Sequence, residues 1–149
     1  SGLSLDLRVR LSAMTPGQIV LDSRSDEGAG LWLELTTRGT LQIGLNNGRA
    51  ESRWDCDPGL LKPGEIHHVA VIVDGGPDII SFVVDGSLCD GGEARQFGWG
   101  RLNPNLRDAR GGGRLRIGTQ VQDLRIYDRA ILVSEAVGNF KAPASKGSV

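Results

Sequence analysis

Tryptophan, arginine and glutamine stand close together in one glycine-containing stretch, and this combination suits the recognition of sugars. Trp99 follows Arg95 and Gln96 and precedes Arg101, with a glycine on either side of it. An aromatic ring can stack on the C–H groups of a sugar, while arginine and glutamine hold hydroxyls or a carboxylate. The flanking glycines would let the backbone approach a ligand closely. The alternative is that Trp99 packs onto the edge of the fold and leaves both arginines in solvent.

A second group of candidate residues lies around the two cysteines. Trp54 and Asp57 flank Cys56, and Asp90 directly follows Cys89. A disulfide between the two cysteines would bring the loops that carry these residues together. Two buried, unpaired thiols are the alternative, and Trp54 is also typical of core or rim packing. The predicted carbohydrate-binding surface comprises Trp99, Arg95, Gln96, Arg101, Trp54, Asp57 and Asp90.

The elements that must position these residues are short strands. Residues 66–74 and 79–85 are two β-branched runs joined by a glycine-containing turn, which predicts a β-hairpin. Both runs are apolar on both faces, so we place the hairpin in the middle of a two-layer structure. The remaining strands alternate in polarity, and Ser134 is predicted to cap one short helical turn. This pattern indicates an all-β fold, either a sandwich or a barrel.

Length, charge and hydropathy exclude several classes of function. The chain has 149 residues, a formal net charge of -1 and a pI of about 6.1. This length suits one domain with a full core, and the charge gives no basic bias towards nucleic acids or anionic membranes. No apolar run approaches the ~20 residues of a membrane-spanning helix. The N-terminal residues lack the pattern of a signal peptide, so we expect a mature fragment or an excised domain.

Three stretches resemble the concanavalin A-like lectin/glucanase superfamily, and within it the laminin-G-like branch. They are GEIHHVA followed by DGG at residues 64–76, FVVDG at residues 82–86, and GGRLRIGTQVQDLRIYDRA at residues 112–130 followed by Ser-Glu. Ile66 stands where the family usually has tryptophan, and the usual first strand, which pairs beside the last, is expected to be missing or shortened. The resemblance implies a two-sheet antiparallel β-sandwich, a jelly roll, over residues 1–141, with residues 142–149 as a tail or linker.

The resemblance also implies a non-catalytic module, because laminin-G-like domains are mostly binding modules of exported proteins and many bind glycans. We expect a carbohydrate-binding module of a secreted or surface protein that acts on glycosides, extracellular or periplasmic, with a polysaccharide or oligosaccharide as partner. The alternative is a structural or protein-interaction module that docks on the catalytic domain of its own parent chain. The third hypothesis is a glycoside hydrolase, whose retaining type requires two carboxylates about 5 Å apart. The sequence has neither the Glu-x-Asp-x-x-Glu nor the Glu-x-Asp-x-Glu motif that relatives on this fold use.

Domains of this kind often bind calcium through carboxylates and backbone carbonyls. The loop at residues 22–27 offers enough oxygen donors, although Arg24 lies within it. Asp55, Asp57 and Asp90 would cluster if the disulfide formed. Calcium therefore stays open, and no other cofactor is expected.

Two further sets of residues have weaker claims to a function. His67 and His68 are neighbours on a strand and point to opposite faces, so they cannot readily bind one metal ion together. Arg114, Arg116 and Arg125 alternate with apolar residues on two strands. Such arginines usually keep a sheet edge soluble, and the alternative is contact with an acidic polysaccharide.

Overall fold

Two antiparallel sheets, packed face to face, form the protein. The computed structural model describes residues 2–106 and 114–142. These residues contain β1 (Gly2–Arg10), β2 (Ile19–Asp22), β3 (Gly30–Leu35), β4 (Leu41–Asn46), β5 (Glu51–Asp55), β6 (Ile66–Asp74), β7 (Ile79–Val84), β8 (Ser87–Leu88), β9 (Gly100–Arg101), β10 (Arg116–Ile117), β11 (Val121–Tyr127) and α1 (Val133–Lys141). The predicted concanavalin A-like β-sandwich is confirmed.

The order of the strands in each sheet settles the topology. One sheet has the order β11-β1-β6-β7-β8, with β9 also paired to β7, and the other has the order β10-β2-β3-β4-β5. β1 pairs along its length with β11 on one side and with β6 on the other. The first strand therefore lies beside the last, and the expectation of a missing or shortened first strand was wrong. Strict alternation of leucine and valine along β1 gives it the buried inner face that this central position requires.

The predicted central hairpin is β6 and β7, and both of its faces are covered. Its inner face packs in the core between the sheets, where Val71 and Phe82 are fully buried. On the outer face, Ala70 and Val83 form a second apolar cluster with Ala136 of α1. This double cover explains why both strands are apolar on both faces.

Helix α1 is longer than the sequence suggested, and it begins at Val133. The prediction that Ser134 is the N-cap was wrong, because Leu132 holds that position. The Leu132 backbone N–H donates instead to Glu135 Oε1, 3.1 Å away. At the other end, Arg8 donates to the carbonyl oxygens of residues 139, 140 and 142, a favourable place for a cation. No helix of the described residues is long and apolar enough to cross a membrane.

Much of the predicted irregular segment, residues 87–113, lies at the edge of the six-stranded sheet. Ser87 and Leu88 pair with one end of β7, while Gly100 and Arg101 pair with the other end. The residues between these two short strands form a loop at the rim of the sandwich. Residues 107–113 and most of the predicted tail, residues 143–149, lie outside the described part of the chain.

Candidate functional site

The loop between β8 and β9, residues 89–99, carries most of the predicted binding residues, and we call it the rim loop. Asp57 anchors its first part, since its carboxylate accepts the backbone N–H groups of Asp90 and Gly91 at 3.1 Å. Asp57 is buried. A buried carboxylate is stable only when it is hydrogen-bonded or paired, so this contact fixes where the rim loop leaves the sandwich.

Arg95 anchors the second part of the rim loop. Its guanidinium donates to Asp55 Oδ1 at 2.9 Å and to the Asp55 carbonyl oxygen at 2.8 Å, and it lies 3.8 Å from the centroid of the Trp54 ring. Burial alone would raise the pKa of Asp55, but hydrogen bonds from Thr40 and Arg38 and the charge of Arg95 hold it below its ordinary value. Asp55 therefore stays ionised, and the pair binds the rim loop to β5.

Trp54 and two glycines complete the anchor. Trp54 Nε1 donates to the Gly98 carbonyl oxygen at 3.0 Å, and the ring packs partly on the core. A Cβ atom at Gly100 would overlap the Trp54 ring, and one at Gly98 would overlap the carbonyl group of Cys89. These glycines permit close packing within the protein, and the packing interpretation of Trp54 agrees with the structure.

Phe97 and Trp99 form an exposed aromatic pair on the rim loop. Their ring centroids are 5.2 Å apart with an angle of 29° between the planes, and the two residues are 50% and 38% exposed. Among the residues that the structure describes, they are the two exposed aromatic side chains. The pair offers apolar ring surface that the protein does not cover.

The structure divides the predicted site residues between a buried or half-buried anchor and a surface. Trp54, Asp57 and Arg95 belong to the anchor. The residues at the surface are Trp99, Gln96, Arg101 and Asp90. Arg101 lies on β9, two residues after Trp99, while Asp90 Oδ1 accepts the Gly92 N–H at 2.9 Å.

The sequence analysis did not assign Phe97 to the site. Its spacing of two from Trp99, across a glycine, was the available signal. The chain bends at Gly98 between them, and the two rings stack there.

Trp32, unlike Trp99, is shielded from solvent. It lies on the open face of the five-stranded sheet, the face that points away from the core between the sheets. It is 2% exposed, and its ring lies flat over Gly44, where a Cβ atom would overlap it. The Arg24 and Arg53 guanidinium carbons lie 4.3 and 5.1 Å from the ring centroid, and Trp32 Nε1 donates to Glu34 at 2.9 Å. This geometry agrees with packing of Trp32.

The carboxylates on this open face contact arginines, which bears on the hydrolase hypothesis. Hydrogen bonds from Arg24 lower the pKa of Asp22 to about 2, and those from Arg53 and Asn46 lower the pKa of Glu51. A glycosidase needs one carboxylic acid whose pKa is raised, so that it stays protonated for catalysis. The shifts on this face have the opposite direction.

The two cysteines are free and buried, so the predicted disulfide was wrong. Both lie in the core cluster, and Cys56 Sγ accepts the Leu41 N–H at 3.3 Å. Burial raises the pKa of the Cys56 thiol to about 12 and that of Cys89 to about 11. Here both behave as small apolar side chains, the alternative weighed from the sequence.

The two candidate calcium loops have carboxylates that already face N–H donors. Asp22 accepts from Arg24 Nε and Nη2 at 2.9 Å, and Asp57 accepts the backbone N–H groups described above. Calcium prefers six to eight oxygen ligands, and the residues described form no group of three or more potential metal ligands. These donor sets do not fit the ion as they stand, and calcium binding stays an untested prediction.

Both histidines are buried and hydrogen-bonded within the protein. His67 Nδ1 lies 2.6 Å from Asp85 Oδ2, and its Nε2 accepts the Lys62 N–H at 3.0 Å. His68 Nε2 lies 2.8 Å from Asp6 Oδ1 on the neighbouring strand β1. The neighbouring histidines thus serve different contacts, as the alternation of a strand predicts.

The predicted basic strand residues do not form one surface. Arg116 lies on β10 of the five-stranded sheet, and Arg125 lies on β11 of the six-stranded sheet. Arg116 contacts Asp22 at 3.3 Å. Since the arginines belong to opposite sheets, a single basic face for an acidic polysaccharide is not formed by these residues.

Several solved structures share this architecture. The binding domain of botulinum neurotoxin DC, in complex with rat synaptotagmin II, has a TM-score of 0.67 and 13% identity over 93% of this chain and 35% of that one. The CBM40 domain of the Ruminococcus gnavus IT-sialidase, bound to α2,3-sialyllactose, has a TM-score of 0.61 and 14% identity over 93% and 82% of the two chains. A third structure concerns botulinum neurotoxin type C, whose cell entry depends on interaction with two ganglioside molecules. It has a TM-score of 0.65 and 13% identity over 93% of this chain and 35% of that one.

At such low identity these structures establish the fold alone, and this chain spans about a third of the neurotoxin chains. No curated protein sequence matches the chain. The family match is independent of these structures and covers residues 1–136. The chain therefore belongs to the concanavalin A-like lectin/glucanases superfamily, as a member of the Laminin_G_3 family.

Proposed function

We propose that the chain is a non-catalytic carbohydrate-binding module and that Phe97 and Trp99 form its sugar platform. The exposed, stacked aromatic pair on a firmly anchored loop is the observation that carries this proposal. Single exposed apolar side chains are normal on protein surfaces, whereas clustered ones mark binding sites. Aromatic rings also supply a large contact area at a low entropic cost, because they have few rotatable bonds.

Around the platform, exposed polar side chains hold the hydroxyl groups of the sugar. Arg101 and Gln96 donate hydrogen bonds, and Asp90 accepts them. Arg95, Trp54 and Asp57 act as positioning residues, because their contacts lie beneath the rim loop. Binding then costs less ordering of the loop, since its conformation is already fixed.

The comparisons support a binding role in coarse terms. The similar structures are binding domains, and that of the sialidase holds α2,3-sialyllactose. We extend this to an exported or cell-surface module whose parent chain acts on glycosides, with a polysaccharide or oligosaccharide as its partner. The parent protein and the identity of the sugar belong to the proposal.

The test is a glycan array probed with the isolated chain, with and without calcium. Any glycan found is then titrated by calorimetry against Trp99→Ala and Phe97→Ala, with Ile117→Ala as the matched control. Ile117 is also an exposed apolar residue, but it lies on the other sheet. We expect each aromatic variant to bind at least about tenfold more weakly, equivalent to about 1.4 kcal/mol, and the control to bind normally. Undiminished binding by folded Trp99→Ala and Phe97→Ala would rule out the platform.

A docking module is the second candidate, and two exposed isoleucines favour it. Ile117 on β10 and Ile126 on β11 are 54% and 49% exposed, and their ladder partners Leu21 and Leu5 face the core. Each lies on the edge strand of its sheet, and exposed apolar residues at sheet edges suit contact with another domain of the parent chain. A negative result across plant, algal and animal glycans would favour this role. Co-expression with the neighbouring domain of the parent chain, using Ile126→Asp as the disrupting variant, would then test it.

A further inference from the structure

A groove of about 420 Å³ lies on the open face of the five-stranded sheet. Glu34 and Gln42, which are cross-strand partners on β3 and β4, and Arg53 on β5 line it from the sheet. Arg38 and Gly17 line it from the neighbouring loops. The groove is open to solvent over most of its surface, so a ligand there would be held by hydrogen bonds to its lining rather than enclosed. None of its lining residues belongs to the rim loop.

Several polar groups in the groove keep unused hydrogen-bonding capacity. Within residues 2–106 and 114–142, the Gln42 amide has no hydrogen-bond partner, although its side chain is half-buried. Arg53 donates through Nε to Glu51 at 2.8 Å, and Arg38 donates through Nη2 to Asp55 at 2.8 Å. A guanidinium has five N–H donors, so both arginines retain donors for a ligand.

The acceptors come from Glu34 and from the Gln42 carbonyl. Glu34 Oε1 accepts the Trp32 indole N–H at 2.9 Å and lies 3.7 Å from Arg53 Nη1. A carboxylate has about four acceptor sites on two oxygens, so Glu34 also retains capacity. Planar donors and acceptors thus line the same groove, side by side.

The groove contains both acidic and basic side chains, so it favours a ligand without a net charge. Glu34 would repel an anion, while Arg38 and Arg53 would repel a cation. Each arginine is also already paired with a carboxylate, Asp55 or Glu51. A neutral molecule that carries several hydroxyl groups meets no such penalty, because each hydroxyl can both donate and accept.

The geometry points to a second binding site, in which Glu34, Gln42, Arg38 and Arg53 hold a neutral sugar unit through its hydroxyl groups. The site does not depend on the rim loop, and it stands whether or not Phe97 and Trp99 bind glycans. If both sites bind one polysaccharide, their linkage raises the apparent affinity through effective concentration.

The experiment is an NMR titration of the ¹⁵N-labelled chain with methyl glycosides. The probes are methyl glucoside, methyl mannoside and methyl galactoside, with methyl galacturonate as the anionic comparator. At millimolar concentrations we expect at least one neutral probe to shift the backbone amides of Thr36 and Arg38 and the side-chain amide of Gln42. Galacturonate should shift these signals less at equal concentration.

Three variants test which residues bind the probe, and their spectra also report on folding. Gln42→Ala should weaken binding at the groove at least about tenfold, whereas Trp99→Ala should leave it unchanged. Glu34→Gln keeps the shape but removes the negative charge, so it should favour galacturonate over the neutral probe. Asn105→Ala removes an exposed amide outside both sites and serves as the matched control.

Several results would overturn the second site. They are the absence of shifts from every neutral probe, unchanged binding by a folded Gln42→Ala variant, and loss of the groove shifts in Trp99→Ala. Equal binding of galacturonate and the neutral probes would reject the assignment to neutral sugars. Loss of rim-loop binding alone leaves the groove shifts in place, so failure of the proposed function is distinguishable from failure of this inference.

Discussion

Trp32 and Trp99 each have a glycine within two residues and a charged residue two positions later in the sequence, yet their environments in the structure are opposite. Trp32 is 2% exposed, with its ring flat over Gly44 and under two arginines. Trp99 is 38% exposed and stacks on Phe97 alone among aromatic rings of the described residues. The same side chain is thus structural on the open sheet face and available at the rim.

The difference lies in what each ring meets across the strands. Gly44 is the cross-strand partner of Trp32, and its missing side chain leaves room for the indole. Arg53 is the next residue in that row, on β5, and an arginine above an indole gains a cation–π interaction. At the rim, Gly100 accommodates Trp54 from beneath the strand, which leaves Trp99 outside. The neighbours of a tryptophan across the strands therefore decide whether its ring is buried or left exposed.

The largest expected effect is a difference in stability between two variants, each of which lacks one of these two rings. Trp32→Ala should lower the free energy of unfolding by about 3–5 kcal/mol, since it empties a fully packed position. Trp99→Ala should change it by less than about 1 kcal/mol, because the ring is partly exposed. Urea denaturation of both variants and the wild type measures the difference. Similar losses in the two variants would contradict the comparison.

Gly44→Ala tests the cause of the burial of Trp32. A Cβ atom there overlaps the indole, so the ring must move, and we expect a loss of about 1–3 kcal/mol from overpacking. Gly138→Ala is the matched control, because it lies in α1 with no atom near the added Cβ. Alanine in a helix is favoured over glycine by about 0.5–1 kcal/mol. Equal stability of Gly44→Ala and the wild type would refute the role of Gly44.

Asp57→Ala tests the anchor of the rim loop. The change leaves the Asp90 and Gly91 N–H groups without their acceptor, which should cost about 1–3 kcal/mol. We also expect weaker glycan binding, because Phe97 and Trp99 lose their fixed position. Asp57→Asn keeps one oxygen acceptor and should restore part of both quantities. Calorimetric titration with the glycan and urea denaturation measure them, and a loss of stability with unchanged binding would separate Asp57 from the platform.

The sequence predicts the strands of this protein better than it predicts the contacts between side chains. Alternation along β1 and the double apolar faces of β6 and β7 predicted the sandwich, because burial of each face dictates residue type locally. The contact of Trp32 with Gly44 depends on register between β3 and β4, which no local pattern encodes. Arg95 likewise was predicted to bind a ligand directly, whereas it contacts Asp55, 40 residues away in sequence.

The positions of Cys56 and Cys89 in the sequence were not enough to predict whether they form a disulfide. They flank the central hairpin, and this position suggested a staple between loops. In the structure both side chains face the core, where a thiol packs like a small apolar group. Composition and spacing do not distinguish a buried thiol from half of a disulfide, because both are buried and cysteine is common in either setting.

The smallest expected effect on stability comes from the two buried thiols, Cys56 in the core and Cys89 at the start of the rim loop. In the unfolded chain a thiol ionises near pH 9, whereas burial raises the folded-state pKa to about 12 for Cys56 and about 11 for Cys89. The unfolded state therefore releases its thiol protons first as the pH rises. Stability contributed by the neutral thiols is complete below pH 9 and is lost as the pH rises towards 11–12.

Between about pH 9 and pH 10 each thiol should lower the free energy of unfolding by about 1 kcal/mol. Urea denaturation at both values measures this loss, and the double variant Cys56→Ala, Cys89→Ala supplies the control, since every other titrating group is shared. A smaller loss in the double variant is expected. Equal losses, or the absence of two reactive thiols per denatured chain, would mean that the cysteines are joined in solution. The rim loop would then be fixed to the core by a covalent bond as well as by Asp57 and Arg95.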